Sequence, residues 1–190
     1  MDPLLDEKLV LTISRDCAEF IRQNLYLYAE KEAYGPSRNE GLCYESCSRV
    51  DFMGEVEGSL FFCMDGYTKL KLMPRIADRF QIDPSLKGMA ESVLLEFANQ
   101  LTSTVVIELQ EGGFDIQMGP PENLSHKIVP IDLSVNRQYI IIFFLRDRRM
   151  KEYLGRIYIV LLVRKFKDSR SADSGEAGQG TESPPEAVSD

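Results

Sequence analysis

The chain opens with an amphipathic pattern of apolar and polar positions. Apolar residues recur at steps of three and four between Leu5 and Ile21, which is the period of a helix with one face in the core. The pattern predicts an amphipathic helix at about residues 4–27.

Two strand-like segments follow a polar interruption. The residues from Lys31 to Gly41 are largely polar, include Gly and Pro, and interrupt the helical pattern. Apolar or alternating residues then run through Tyr44–Phe52 and Val56–Met64, on either side of Gly54. Two such segments around a short glycine-containing turn predict a β-hairpin.

The middle of the chain predicts two helices. Apolar positions within Tyr67–Phe80 have helical spacing, although Pro74 should bend or delimit this helix. A longer periodic stretch follows the helix-start signal Asp83-Pro84 and ends at Gly112-Gly113, which suit a helix C-cap. We therefore predict one long central helix that covers residues 85–110.

The last part of the chain is strand-like. Four segments have the apolar character of strands: Phe114–Met118, Lys127–Leu133, Gln138–Leu145 and Arg156–Phe166. The predicted order of elements is αββααββββ. Consecutive strands that are separated from the helices favour an α+β fold, with long helices packed on one face of a largely antiparallel sheet.

Composition and charge divide the chain into a domain and a tail. At 190 residues, with 44% hydrophobic and 27% charged residues, the chain suits one domain with a single core. The net charge is −8, of which residues 168–190 carry −5 and residues 1–167 carry −3. The tail is rich in Ser, Gly, Glu and Pro, so burial cannot offset the entropy of ordering it. We predict a domain at 1–167 and a disordered tail at 168–190.

The same composition argues against several classes of protein. The longest apolar run, Tyr139–Leu145, is far shorter than a membrane-spanning helix, and no basic region resembling a signal peptide begins the chain. Basic residues do not alternate with aromatic residues, so no nucleic-acid-binding surface is indicated. We expect a cytoplasmic protein that binds neither nucleic acid nor membrane.

Metal and redox chemistry are not indicated either. The cysteines form no CxxC pair, and the single histidine is His126, so the usual ligands of a structural zinc site are missing. The four thiols are expected to be reduced and partly buried: Cys17, Cys43, Cys47 and Cys63.

The central helix carries the candidate site. One broad face of this helix is apolar and comprises Leu86, Ala90, Val93, Leu94, Phe97, Leu101 and Val105. On the opposite side Ser92, Glu96, Asn99 and Ser103 are spaced by four, three and four, which places them in one polar stripe. The two serines are expected to bond to water or to a preceding carbonyl group.

Two apolar residues, Leu95 and Val106, also project toward the polar side of this helix. Exposed apolar groups beside a candidate site can dock a partner. Coverage of both residues by the N-terminal helix is an equal alternative.

The segment Ser92-Val-Leu-Leu-Glu96-Phe-Ala-Asn99 resembles the signature helix of the CheC/CheX/FliY family of bacterial chemotaxis phosphatases. The resemblance extends to Gly54-Glu-Val-Glu-Gly58-Ser-Leu and to Phe114-Asp-Ile-Gln-Met-Gly-Pro120-Pro121, and covers roughly residues 4–166. The chain has a single ExxN helix, and within this family that arrangement is most similar to CheX. Two positions depart from the family pattern. Leu95 stands where a small residue is frequent, and Ser103-Thr104 stands where a Gly-Asn pair is frequent.

The resemblance implies a function, and it implies which groups this chain and its partner each supply. A CheX-like enzyme hydrolyses the aspartyl phosphate of a CheY-like response regulator, with Mg²⁺ supplied by that regulator and no cofactor bound by this chain. It also implies that Asn99 orients the attacking water, that Glu96 pairs with a lysine of the regulator, and that the chain forms a homodimer. For the dimer we expect an exposed edge on the strands Gln138–Leu145 and Arg156–Phe166.

Two other functions stay open from the sequence. The first is a non-catalytic module of the same fold that binds a receiver domain or a flagellar or chemoreceptor component. The second is a small-ligand-binding α+β domain in which the polar stripe is a solvated face, although no Gly-rich phosphate loop or metal cluster supports it.

Overall fold

The structure is a computed structural model that describes residues 7–83 and 88–164. Within these residues three helices lie on one face of a six-stranded sheet, and a two-stranded ribbon lies on the other face. The elements are α1 (Glu7–Leu25), β1 (Leu27–Ser37), β2 (Gly41–Leu42), β3 (Ser46–Gly54), β4 (Gly58–Met64), α2 (Gly66–Phe80), α3 (Met89–Glu111), β5 (Ile116–Asn123), β6 (Val129–Pro130), β7 (Asn136–Asp147) and β8 (Tyr153–Arg164). The predicted α+β class is confirmed.

The sheet has the strand order β1-β7-β8-β4-β3-β5, and every pairing in it is antiparallel. Alternate side chains of a strand point to opposite faces, so the sheet separates two apolar clusters. In β7, Ile141, Phe143 and Leu145 point to the helices and are fully buried. The main core therefore lies between the sheet and the three helices.

A smaller cluster covers part of the opposite sheet face. The ribbon of β2 and β6 places Leu42, and Ile131 directly after β6, over outward-facing side chains of β4 and β8, among them Phe61 and Val160. These residues are almost completely buried. A short ribbon thus protects apolar side chains that the helices cannot reach.

An edge strand occupies the stretch that the sequence pattern left irregular. The residues from Lys31 to Gly41 overlap β1, which pairs with β7 and has a bulge between Lys31 and Ala33. Only Leu27 and Ala29 of this strand are buried. An edge strand is held by backbone hydrogen bonds on one side, so its side chains can be polar and give little periodic signal. The observed order is αββββααββββ.

The expected free edge on the last two strands is wrong. β7 pairs with β1 as well as with β8, and β8 pairs with β4 as well as with β7. Both strands are interior, which suits their long apolar runs. Among the described strands the edges are β1 and β5.

Helix α2 continues through its proline. Asp65 caps its first turn, since the side chain of Asp65 accepts a hydrogen bond of 2.7 Å from the backbone N–H of Thr68. Pro74 does not end the helix, which runs to Phe80 and buries Leu72 on the sheet side. No described helix has the length and apolar character required to cross a membrane.

The predicted boundaries of the central helix are tested only in part, and the predicted division into a domain at 1–167 and a tail at 168–190 stays a prediction. Helix α3 begins at Met89, and residues 84–87 lie outside the described residues, so the proposed start at 85 stays a prediction. Its end agrees with the sequence: Phe114 N–H donates to Leu109 C=O at 3.2 Å and Gly113 N–H donates to Gln110 C=O at 2.9 Å, which is a Schellman cap. The whole predicted tail, 168–190, also lies outside the described residues.

Candidate functional site

Helix α3 is held by contacts on several sides. It packs on α1, α2 and strands β3 and β5, and its buried residues are Val93, Leu94, Phe97, Ala98, Leu101, Thr102, Val105, Val106 and Leu109. Phe97 is fully buried between Phe20 of α1 and Phe62 of β4, with ring centroids 5.3 and 5.4 Å apart. Tilted aromatic pairs of this kind fix both the position and the rotation of the helix.

Glu96 and Asn99 share the solvent-facing side of this fixed helix. Glu96 is exposed and Asn99 is half-buried, whereas Phe97 and Ala98 between them face the core. A spacing of three residues makes them neighbours on the helix surface. The structure therefore places the two predicted site residues side by side on the accessible face.

The hydrogen bonds of the pair differ. Glu96 Oε1 accepts a hydrogen bond of 2.8 Å from Nε2 of Gln100, one turn further along the helix. No described group forms a hydrogen bond with the Asn99 carboxamide, although the backbone C=O of Asn99 accepts one from Ser103 Oγ. The carboxamide thus keeps both its donors and its acceptor for a bound molecule. Gln100 follows Glu96 at the i,i+4 spacing of helix pairs, so this contact was predictable from the sequence.

The two serines of the stripe behave as expected. Ser92 Oγ donates to Gly88 C=O at 3.2 Å, and Ser103 Oγ donates to Asn99 C=O at 3.0 Å. Ser103 Oγ also lies 3.5 Å from Met118 Sδ on β5. Because both hydroxyl groups bond to carbonyl groups of the preceding turn, they lie at the rim, and Glu96 and Asn99 remain the candidate residues of the site.

Of the two apolar residues that flank the stripe, one is buried. Leu95 is partly buried, but Val106 is 5% exposed and belongs to the main core. The second half of α3 packs on neighbouring elements over a wider arc than a single apolar face. Val106 is therefore a core residue, and it is not available to dock a partner.

The glycines of the hairpin that precedes α2 have a packing role. A Cβ on Gly54 would lie 2.1 Å from the carbonyl oxygen of Asp115, and Gly54 has a φ of 140°. Glu55 then bonds the same segment, with its side chain accepting from Asp115 N–H at 2.8 Å. This contact joins the β3–β4 turn to the loop after α3. The segment Gly54–Gly58 thus supports the C-terminal end of the site helix.

The chemistry of the site is that of one carboxylate and one carboxamide. Among the described residues no group of three or more His, Cys, Asp and Glu side chains could hold a metal ion. His126 is exposed, has a φ of 61°, and its backbone N–H donates to Tyr44 C=O. Such a pair can orient a water molecule and bind a cation, but it does not provide a strong nucleophile.

This domain matches a known protein family. The family model described as chemotaxis phosphatase CheX matches residues 46–145, more than half of the chain. No curated protein matches the sequence.

Solved structures share the fold at low identity. CheX of Desulfovibrio desulfuricans is 9% identical with a TM-score of 0.65, over 82% of this chain and 99% of that chain. CheX from the CheX–CheY–BeF₃–Mg²⁺ complex of Borrelia burgdorferi is 19% identical with a TM-score of 0.55, over 83% and 98%. FliY of Thermotoga maritima is 14% identical with a TM-score of 0.54, over 83% and 91%.

Three helices on one face of an antiparallel six-stranded sheet give an α+β domain of the CheX type. This chain belongs to the CheX family.

Proposed function

We propose that this protein dephosphorylates the receiver domain of a CheY-like response regulator, acting on its aspartyl phosphate in chemotaxis or a related two-component pathway. The single observation that carries the proposal is the pairing of Glu96 with Asn99 on the exposed side of α3, in a chain of the CheX family. A CheX protein has been crystallised with CheY, BeF₃ and Mg²⁺, which supports the choice of partner.

The role of Asn99 follows from its hydrogen-bonding groups. Its carboxamide has no partner among the described residues, so it can accept a hydrogen bond from a water molecule and donate another to an oxygen near the phosphorus. Holding a water molecule in line with the phosphorus lowers the entropic part of the activation barrier, because the water is already positioned when the bond forms. The Schellman cap and the buried face of α3 keep the backbone of Asn99 fixed.

The role of Glu96 is to dock the substrate protein. Its carboxylate is exposed and bonded to the neutral Gln100, so an incoming lysine ammonium group meets an uncompensated negative charge. Charge pairs of this kind fix the register of two proteins. An ion pair one helical turn from Asn99 brings the acyl phosphate to the carboxamide.

The metal belongs to the substrate in this proposal. Mg²⁺ bound by the receiver polarises the phosphoryl group and neutralises its charge. Glu96 alone supplies too few ligands to hold the ion. This chain therefore contributes positioning, and the active site is complete only in the complex, which we place in the cytoplasm.

Phosphate release from a phosphorylated receiver domain tests the proposal. The wild-type protein should accelerate release over the receiver alone, and removal of Mg²⁺ with a chelator should abolish the acceleration. A panel of receivers is required, because the docking surface of the partner determines which one is a substrate. Binding of a receiver without any acceleration would instead favour the non-catalytic module, for which the departures at Leu95 and Ser103-Thr104 are the motivating observation.

A further inference from the structure

Two cysteines face each other across the hairpin of β3 and β4. Cys47 and Cys63 are register partners on neighbouring antiparallel strands. Their Sγ atoms are 3.2 Å apart, and the residues are 2% and 0% exposed. Both belong to the smaller apolar cluster under the β2–β6 ribbon, on the sheet face opposite to α3.

We infer that Cys47 and Cys63 are an oxidisable dithiol, which a hydroperoxide converts into an intramolecular disulfide. Opposed residues of antiparallel strands have Cα atoms about 4.5–5.5 Å apart, within the range of about 4.4–6.8 Å that disulfides span. A disulfide bond is about 2.05 Å long, so the two sulfur atoms must approach by only about 1.2 Å. The backbone is therefore already in place for the bond.

The two thiols have different parts in the reaction. The hydrogen bond from Cys63 lowers the pKa of Cys47, and the nearby guanidinium group of Arg49 acts in the same direction. Burial raises the pKa of Cys63. Since the thiolate is the nucleophile, Cys47 is the residue that reacts first. Cys17 is a contrast, because burial without a thiol neighbour raises its pKa to about 12.

The reaction balances in two steps. The Cys47 thiolate attacks one oxygen of the hydroperoxide, the O–O bond breaks, and the leaving oxygen takes up a proton, which gives a sulfenic acid and water or an alcohol. The Cys63 thiol then attacks the Cys47 sulfur, the S–O bond breaks, and the hydroxyl group leaves as water with the thiol proton. The peroxide is reduced, and the two thiols are oxidised.

Access to the pair depends on a thin cover. The segment over Cys47 is held by two hydrogen bonds to its backbone: Ser125 Oγ accepts from Cys47 N–H, and Leu124 N–H donates to Cys47 C=O. The adjoining ribbon has only two residue pairs. Small elements of this kind open locally at low free energy, and a hydroperoxide is small enough to enter. A dithiol in the main core would lack this route.

Peptide mapping of the full-length protein after hydrogen peroxide treatment tests the inference. Cleavage after Glu45 separates Cys43 from Cys47, and cleavage after Arg49 separates Cys47 from Cys63. We expect a Cys47–Cys63 linked peptide that dithiothreitol resolves. The Cys43→Ser variant should retain the link, since Cys43 is exposed and not part of the pair. Cys63→Ser should instead accumulate a sulfenic acid at Cys47 that a 1,3-dione traps.

Three results would overturn the inference: free Cys47 and Cys63 thiols after Cys43 has been fully oxidised, a link that includes Cys43, or a link only between chains. The wild-type peptide map decides these outcomes even where a variant does not fold. The measurement does not involve receiver dephosphorylation, so it is independent of the proposed enzymatic activity.

Discussion

Glu96 accepts a hydrogen bond from Gln100, its i+4 neighbour on the exposed face of α3, with 2.8 Å between Oε1 and Nε2. The bond is worth little to stability, because both groups are solvated. It holds the carboxylate over the turn that follows Asn99. Glu96 is thus oriented by a helix neighbour, and the predictions for Glu96 and Asn99 can be tested separately.

Asn99→Ala should lower single-turnover dephosphorylation by at least about 10²-fold, the order expected when a group that positions water is lost. The fold should survive, because the Asn99 side chain makes no hydrogen bond to a described residue and alanine favours helix. Phosphate release and a thermal melt measure the two effects. Ser92→Ala, at the N-terminal end of the same stripe, is the matched control and should retain activity. Hydrolysis at the wild-type rate in Asn99→Ala would remove the enzymatic proposal.

Glu96→Ala should weaken binding of the phosphorylated receiver as well as turnover, because its proposed ion pair forms on docking. Gln100→Ala is the control, since it removes the neighbour of Glu96 and keeps the charge; we expect a smaller effect on receiver affinity. Titration of the receiver in single-turnover kinetics separates the dissociation constant from the maximal rate. Equal affinity for the wild type and Glu96→Ala would contradict the docking role.

The pair Asp16 and Glu108 joins α1 to α3 and predicts a pH dependence of stability. Asp16 Oδ2 is buried, and with Glu108 ionised no group among the described residues donates a hydrogen bond to it. The pKa of Glu108 is raised, first by a hydrogen bond to Asp16 and then by burial and the negative charges of Asp16 and Glu111, against a smaller opposite effect of Arg15. In the folded state Glu108 therefore retains its proton to a higher pH than in the unfolded chain.

The sign of the effect follows from linkage. A carboxyl group with a raised pKa in the fold contributes stability at acidic pH, and this contribution is lost as the pH rises from about 4.5 through the folded-state pKa. Glu108→Gln keeps a hydrogen-bond donor and removes the charge, so it should raise the unfolding midpoint at neutral pH and flatten its decline with pH. Glu111→Gln should have a smaller effect. Parallel pH profiles for the wild type and Glu108→Gln would contradict the assignment.

The tail should be dispensable for folding. Residues 168–190 carry a charge of −5 and a single large aliphatic residue, Val188, so they offer little apolar area to bury. Truncation after Lys167 should leave the unfolding midpoint nearly unchanged, as a melt of the truncated and full-length chains will show. A fall of many degrees would place part of the fold in the tail.

The helical features of this protein were predictable because helix periodicity is local. The shared face of Glu96 and Asn99 requires only a spacing of three residues on a helix, and the stop at Gly112-Gly113 requires only local backbone geometry. The burial of Val106 depends on which elements surround α3, and most of these elements are distant from α3 in the sequence. Strand β1 was missed for the same reason, since its partner β7 lies about a hundred residues further on.

Strand β5 ends the described sheet beside the site helix, and it contains Pro120 and Pro121. Proline has no N–H group to offer a further strand, so this border resists extension by another chain. An assembly that added copies at the sheet borders would have to add them at β1. This strand is separated from Asn99 by the full width of the sheet. Two copies joined there would carry their sites at opposite ends, and each site would stay open to its own partner.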